Sequence, residues 1–256
     1  MRTLRTIAEL RAALEPFRRR SIGLVPTMGA FHAGHLALFR AAREECDAVV
    51  VSLFVNPAQF DEAADLDAYP RDEAADAATA ADAGVDLLFA PTTAELYPPG
   101  FQTWVDVTEL SRGLEGEHRP GHFRGVATIC LKLFNLVRPD RAYFGQKDAQ
   151  QAAVVQRLVR DLDLDLMVRV IPTVRDVDGL ALSSRNAHLS AAERQAALAL
   201  PRALATRNRD AARAALDGLD VDYVEVAEFD PPVLAAAVRV GSTRLIDNVV
   251  LNEEER

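Results

Sequence analysis

A chain of 256 residues, 49% apolar and 26% charged, has the balance of a globular protein, with length for one large α/β domain and a smaller companion. Its net charge of −9 excludes a protein that coats nucleic acid, which needs a basic stripe against phosphates. No apolar run reaches the roughly 20 residues that a membrane-spanning helix needs. The two cysteines, Cys46 and Cys130, belong to no CxxC or Cys/His cluster, so buried thiols in a reducing cytoplasm are expected.

In chain order, Thr6 and Glu9 spell a capping box ahead of an amphipathic helix, which sets the arginine-rich opening apart from a transit peptide. "SIGLVPT" (21–27) predicts a buried strand, and Gly29, Gly34 and the spacing of Leu36, Phe39 and Ala42 predict a loop feeding a helix. His32 and His35 therefore fall on a strand-to-helix turn. "DAVVVSLFVNP" (47–57) is a second strand, continuously apolar as when both sheet faces are covered. A helix over 72–83, a strand over 85–91, a helix over 125–137, a strand over 141–145, a helix over 148–162 and a strand over 166–174 follow. Such alternation implies a parallel sheet with right-handed crossovers. Beyond 174 the pattern changes: Ser190 and Glu193 cap an alanine-rich helix, and short strands follow at "VDYVEVAEF" and "STRLIDNVVL". The expected architecture is a Rossmann-like parallel sheet with helices on both faces over 1–173, then a small α+β lid domain over 174–256.

Ligands of open parallel sheets bind beyond the carboxyl ends of the strands, where backbone N–H groups and helix N-termini meet anions. Neither GxxxxGK[ST] nor GxGxxG occurs, so a bound nucleotide would depend on the His32-Ala33-Gly34-His35 turn. Zinc is disfavoured there, because HExxH spacing is missing and no cysteine lies near. Taken alone, the two histidines also fit surface imidazoles at a helix start. Gly145-Gln146-Lys147-Asp148 leaves a strand and opens a helix, offering backbone donors and the ammonium of Lys147, one of only two lysines in the chain. By itself it also fits an exposed lysine beside an N-cap aspartate. Ser183-Ser184-Arg185-Asn186 joins two hydroxyls to a planar guanidinium suited to phosphate oxygens, and alone it also fits a polar turn.

"PTMGAFHAGH" (26–35), "SLFVNPAQF" (52–60), "YPRD" (69–72), "RPGHFRGV" (119–126), "RPDRAYFGQKDAQQ" (138–151) and "SSRN" (183–186), in this order, resemble the pantothenate synthetase family. The resemblance runs from about residue 3 to 190. It implies a ligase that joins pantoate to β-alanine, converting ATP to AMP and pyrophosphate by way of a pantoyl adenylate. It further implies ATP binding by Met28, Gly29, Ala30, Phe31, His32, Ala33, Gly34, His35, Gly145, Gln146, Lys147, Asp148, Val174, Leu182, Ser183, Ser184 and Arg185. His35, His32, Lys147 and Arg185 would be the catalytic set, with His35 donating a proton. Pantoate would be bound by Gln59, Gln151, Asn56 and Arg119, with His122 lining the same site, and β-alanine by Gln59. Mg²⁺ is implied with ATP, and Asp76 is the candidate for orienting it. A cytoplasmic homodimer that binds neither nucleic acid nor membrane is expected from the same likeness.

The chain departs from the family pattern at Ala75, where many relatives carry a second acid, and at Phe31, Gln146 and Ala149; its C-terminal part is also short. A rival from the same superfamily, nucleotidyl transfer to a phosphorylated acceptor, is opposed by Gln59 and Gln151, which suit an uncharged hydroxyl-rich acceptor. A silent nucleotide-binding protein is opposed by the intact His32, His35, Lys147 and Arg185. An aminoacyl-tRNA synthetase is excluded by the missing KMSKS motif and the short length.

Overall fold

A computed structural model describes residues 1–61 and 63–255. Contacts divide it into two compact units: Met1–Phe31, His35–Phe144 and Val154–Ile171 form one, and His32–Gly34, Gly145–Ala153 and Pro172–Arg256 the other.

The first unit holds a six-stranded parallel sheet built from β1 (Arg2–Leu4), β2 (Ile22–Thr27), β3 (Ala48–Leu53), β4 (Leu87–Phe89), β5 (Arg141–Gly145) and β6 (Met167–Ile171), in the order β1-β4-β3-β2-β5-β6. Val49, Val50 and Val51 on β3 are buried in succession, as a strand covered on both faces requires. One apolar cluster joins Leu10, Leu14, Leu24, Val50, Leu133 and Phe134; the other joins Val25, Phe39, Val51, Leu88 and Tyr143. From β2 the chain runs outward through β3 to β4, then returns to the other side of β2 as β5, so strand order reverses between β2 and β5. At such a switch point a crevice opens beyond the carboxyl ends of the strands.

Local signals set the helix starts. Thr6 and Glu9 form the expected capping box on the Ile7–Leu14 helix, and Asp72 caps Glu73–Asp82 through Ala75 N. The His122–Val137 helix begins three residues earlier than its apolar run predicts and ends where Arg138 turns left-handed. Cys46 and Cys130 are free and buried, and burial pushes the Cys130 thiol up to about 12. No helix among the described residues is long and apolar enough to cross a membrane.

The second unit is a three-stranded antiparallel sheet, β7 (Asp220–Ala227), β8 (Val233–Val240) and β9 (Thr243–Val250), covered by the helices Ala191–Ala197, Ala199–Leu204 and Arg209–Ala215. Leu200, Leu204, Ala212 and Leu216 pack with Val224, Leu234, Ala236 and Val238. β8, "VLAAAVRV", is its central strand and has no counterpart in the strands expected from sequence. Alanine carries helix propensity, but pairing on both edges overrides it.

Candidate active site

In the first unit β2 ends at Thr27 and the chain turns through Met28–Phe31. Both carboxylate oxygens of Asp76, which is 4% exposed, accept backbone N–H groups of this turn: Oδ2 from Ala30 at 2.9 Å and Oδ1 from Phe31 at 2.7 Å. The candidate magnesium carboxylate is thus first a strut for the turn, with a second lone pair left on each oxygen. No group of three or more His, Cys, Asp or Glu that would hold a metal ion occurs among the described residues. The spare lone pairs of Asp76 fit a magnesium ion brought in by phosphates, which uses few protein oxygens. Phe31 packs edge-on against Phe39 at 5.1 Å and lies 5.3 Å from the ring of His35, in the first turn of the Ala33–Glu45 helix. The aromatic that departs from the family pattern thus anchors the imidazole to the core.

A second polar group in this unit surrounds the turn Pro57–Gln59. Asn56 is fully buried; it accepts from Ala58 N, and its Nδ2 donates to Gly125 O and to Gln59 Oε1, both at 3.1 Å. Gln59 Nε2 points to Met28 Sδ at 3.0 Å, so the turn after β2 and the turn after β3 touch through this amide. Gln59 O accepts from His122 Nδ1 at 2.8 Å and from Arg119 Nη2 at 3.3 Å. A carbonyl only accepts, so Nδ1 carries the proton and Nε2 of His122 is the acceptor facing Arg119 Nη1 at 3.3 Å. Gly125 closes the assembly: a Cβ on it would stand 2.2 Å from Ala58 O and 2.6 Å from Gln59 N. Asn56, Gln59, Arg119 and His122, scattered in sequence, are brought into one hydrogen-bonded network, buried except for the half-buried Arg119, with Asn56 and His122 spent mainly on shaping it.

In the second unit His32 is half-buried. Burial first, and then the charge of Lys147, hold its imidazole below the usual histidine value, with Asp148 opposing. Its Nδ1 accepts from Gly34 N at 3.1 Å, which fixes the neutral Nε2–H tautomer and leaves Nε2–H as a donor. A Cβ at Gly34 would stand 2.8 Å from His32 Cε1, so glycine here lets the ring keep this hydrogen bond without shifting. Lys147 occupies the 3₁₀ turn Gln146–Asp148, with Nζ 3.5 Å from Asp148 Oδ1. Gln151 is half-buried in the first turn of the Ala149–Asp161 helix.

Val174 and Leu182 close a hairpin in which Leu182 N donates to Val174 O at 3.0 Å. Ser183 Oγ caps Arg185 N, and Ser184 and Arg185 lie half-buried in the 3₁₀ turn Ser184–His188. The hairpin is tied to β9 by a bidentate ion pair, Arg175 to the 1%-exposed carboxylate of Asp247 at 2.6 and 3.0 Å. Asp247 and its neighbour Asn248 were not singled out from the sequence, where "DN" inside an apolar run offers only a turn signal.

A doubly wound parallel sheet with a histidine-bearing turn beyond its central strand places the chain among the Rossmann-like α/β proteins. The family model described as Pantoate-beta-alanine ligase matches residues 2–250. A pantothenate synthetase of Acidobacterium capsulatum is 50% identical, with 99% of this chain and 98% of that protein covered. One of Heliobacterium modesticaldum is 51% identical, covering 98% and 99%. The crystal structure of pantothenate synthetase from Thermus thermophilus superposes with a TM-score of 0.93 at 46% identity, covering 98% of this chain and 99% of that one. Pantoate-beta-alanine ligase from Francisella tularensis, complexed with "Beta-gamma ATP" and β-alanine, superposes with a TM-score of 0.87 at 33% identity, covering 98% and 97%. The chain belongs to the pantoate-β-alanine ligase family.

Proposed function

We propose that this chain condenses (R)-pantoate with β-alanine, using ATP and releasing AMP and pyrophosphate through a pantoyl adenylate. The observation that carries the reading is the family match over residues 2–250, which takes in every residue assigned a role here. In the first step a pantoate carboxylate oxygen attacks the α-phosphorus of ATP, the bond to the β-phosphate oxygen breaks, and pyrophosphate leaves. In the second the amine of β-alanine attacks the acyl carbonyl, a C–N bond forms, the acyl–oxygen bond to phosphate breaks, AMP leaves, and the amine gives up a proton.

The first step brings a carboxylate against a triphosphate of like charge, so cations and fixed donors must meet charge as it moves to the leaving group. Lys147, Arg185 and the hydroxyls of Ser183 and Ser184 are assigned to those oxygens. The turn Met28–Gly34, Gly145, Gln146, Asp148, Val174 and Leu182 are assigned to ATP. Asp76 holds its part of the turn so that the N–H groups need not reorganise. His32, kept neutral, offers Nε2–H to a phosphate oxygen without changing charge, and His35 is assigned as proton donor. Gln59, Gln151, Asn56 and Arg119 are assigned to pantoate, and Gln59 also to β-alanine; side-chain amides donate and accept, matching hydroxyls and a carboxylate. Magnesium supplies charge neutralisation when bound with ATP, and Asp76 is the carboxylate that would orient it. Holding both reactants away from water protects the adenylate from hydrolysis.

We further assign residues 1–173 as the ATP- and pantoate-binding domain and 174–256 as a lid that adds Val174, Leu182, Ser183, Ser184 and Arg185 to the ATP site, and place the enzyme in the cytoplasm as a homodimer. These assignments rest on the family likeness. Pantoate-dependent exchange of labelled pyrophosphate into ATP, with Mg²⁺ and without β-alanine, tests the reading. Exchange is expected; its absence from folded protein that binds ATP overturns adenylation.

A further inference from the structure

The side chain of Asn248 lies in the second unit, inside a sheet with no assigned part in the chemistry, yet it is bound entirely to the segment that carries Lys147. Asn248 is 4% exposed and sits on β9, paired across the sheet with Ala235. Its Nδ2 donates to Gln146 O and to Lys147 O, both at 2.9 Å, and its Oδ1 accepts from Gln146 Nε2 at 2.9 Å. Two donors and one acceptor of one amide are thus spent on two consecutive residues.

The placement of those bonds matters. The carbonyl of Gln146 belongs to the peptide plane before the Lys147 Cα, and the carbonyl of Lys147 to the plane after it. Peptide groups are planar, so holding both carbonyls fixes the backbone torsions on either side of that Cα. The direction of the Lys147 Cα–Cβ bond is fixed with them. No side chain caps this 3₁₀ turn at its N-cap, Gly145, so the turn lacks the usual local means of fixing its start. Asn248 itself is held, since Asp247 Oδ1 accepts from Asn248 N at 2.8 Å while the same carboxylate binds Arg175. One two-residue stretch of β9 therefore fixes both the Lys147 turn and, through Arg175, the hairpin that bears Val174 and Leu182.

We propose that Asn248 is a positioning residue for adenylate formation, aiming the Lys147 ammonium at the phosphates by clamping the peptide planes on both sides of it. This inference rests on the role assigned to Lys147 above. Aspartate at 248 would keep the shape but set carboxylate oxygens against two carbonyl oxygens, reversing attraction into repulsion. Asn248→Asp and Asn248→Ala are both expected to reduce pyrophosphate exchange about 10- to 100-fold, as small misplacements of reacting groups do. The pantoate dissociation constant is expected to stay within about twofold, a split that general unfolding would not produce.

The test is a double-mutant cycle on the full chain between Asn248→Ala and Lys147→Ala, read by pyrophosphate exchange, with amide hydrogen exchange over 145–150 as a geometric readout. If Asn248 acts through the lysine, its replacement has little further effect once Lys147 is gone, and amide exchange over 145–150 accelerates while β7 and β8 stay protected. An undiminished Asn248→Ala effect in the Lys147→Ala background overturns the inference and leaves the lysine's role standing. Wild-type exchange by Lys147→Ala overturns both. If Asn248→Ala does not fold, Asn248→Ser, which keeps a polar group in place but cannot reach both carbonyls, is put through the same cycle, with the same outcomes deciding.

Discussion

Two polar segments of this chain are held in place by opposite means. The Pro57–Gln59 turn of the first unit is fixed mostly by uncharged groups: Asn56 and Gln59 satisfy each other and the backbone, and neutral His122 joins Gln59 O to Arg119, a half-buried cation at the edge of this hydrogen-bonded group. The Val174–Leu182 hairpin of the second unit is fixed by a charge, the buried carboxylate of Asp247 gripping Arg175. A neutral network tolerates the loss of one bond at modest cost, whereas a buried ion pair that loses one partner strands a charge. The turn assigned to pantoate should therefore degrade gradually under mutation, and the hairpin assigned to ATP abruptly.

The largest effect expected from this contrast is in Arg175→Ala. It leaves the buried carboxylate of Asp247 with only Asn248 N as a partner among the described residues, and should lower stability by about 3 kcal/mol in denaturant titration, the low end of the range for broken buried pairs because Arg175 is itself partly exposed. A loss under about 1 kcal/mol, the range of a surface pair, would erase the contrast. Next in size, Lys147→Ala should reduce pyrophosphate exchange on the order of 10²–10³-fold, as removal of one charge-stabilising donor does. Pantoate affinity should hardly change, whereas Gln59→Ala should weaken pantoate binding about tenfold. Equal losses of binding and rate in both variants would show that the two regions do not divide the work as assigned.

Gly125→Ala addresses the neutral network. A methyl group cannot occupy a point 2.2 Å from Ala58 O, so the turn must shift, and a stability loss of about 1–3 kcal/mol with weaker pantoate binding is expected. Unchanged pantoate affinity would separate the packing of this turn from recognition.

The smallest effect concerns pH. His32 has a folded pKa below its unfolded value of about 6.5, so the unfolded chain takes up the proton first as pH falls. Its contribution is intact above that pH and is lost as pH descends from there through the folded value. The melting temperature of wild type minus that of His32→Ala, followed across this window, should therefore decrease on acidification. A flat difference would mean that burial and the charge of Lys147 do not hold His32 below its unfolded value in the folded chain.

The sequence by itself determined the alternating elements and the parallel α/β class, but not the edge strand β1, whose three residues are too short to show a period and are set by pairing with β4. Capping residues such as Thr6, Glu9, Ser190 and Glu193 form their boxes from neighbours in the chain. The ordered motifs determined the family, because residue types at fixed spacing need no fold to be legible. The tertiary structure alone decided what each polar group is spent on. Asp76 meets the 30–31 turn across more than forty residues of chain, Gly125 is required by a backbone that approaches from Ala58, and Asn248 holds carbonyls a hundred positions away. The alanine-rich β8 became a strand for the same reason, its two pairing edges supplied by β7 and β9. Periodicity and caps report energies that arise within a few residues, whereas these roles arise from hydrogen bonds and steric contacts between distant segments, which exist only once the chain has folded.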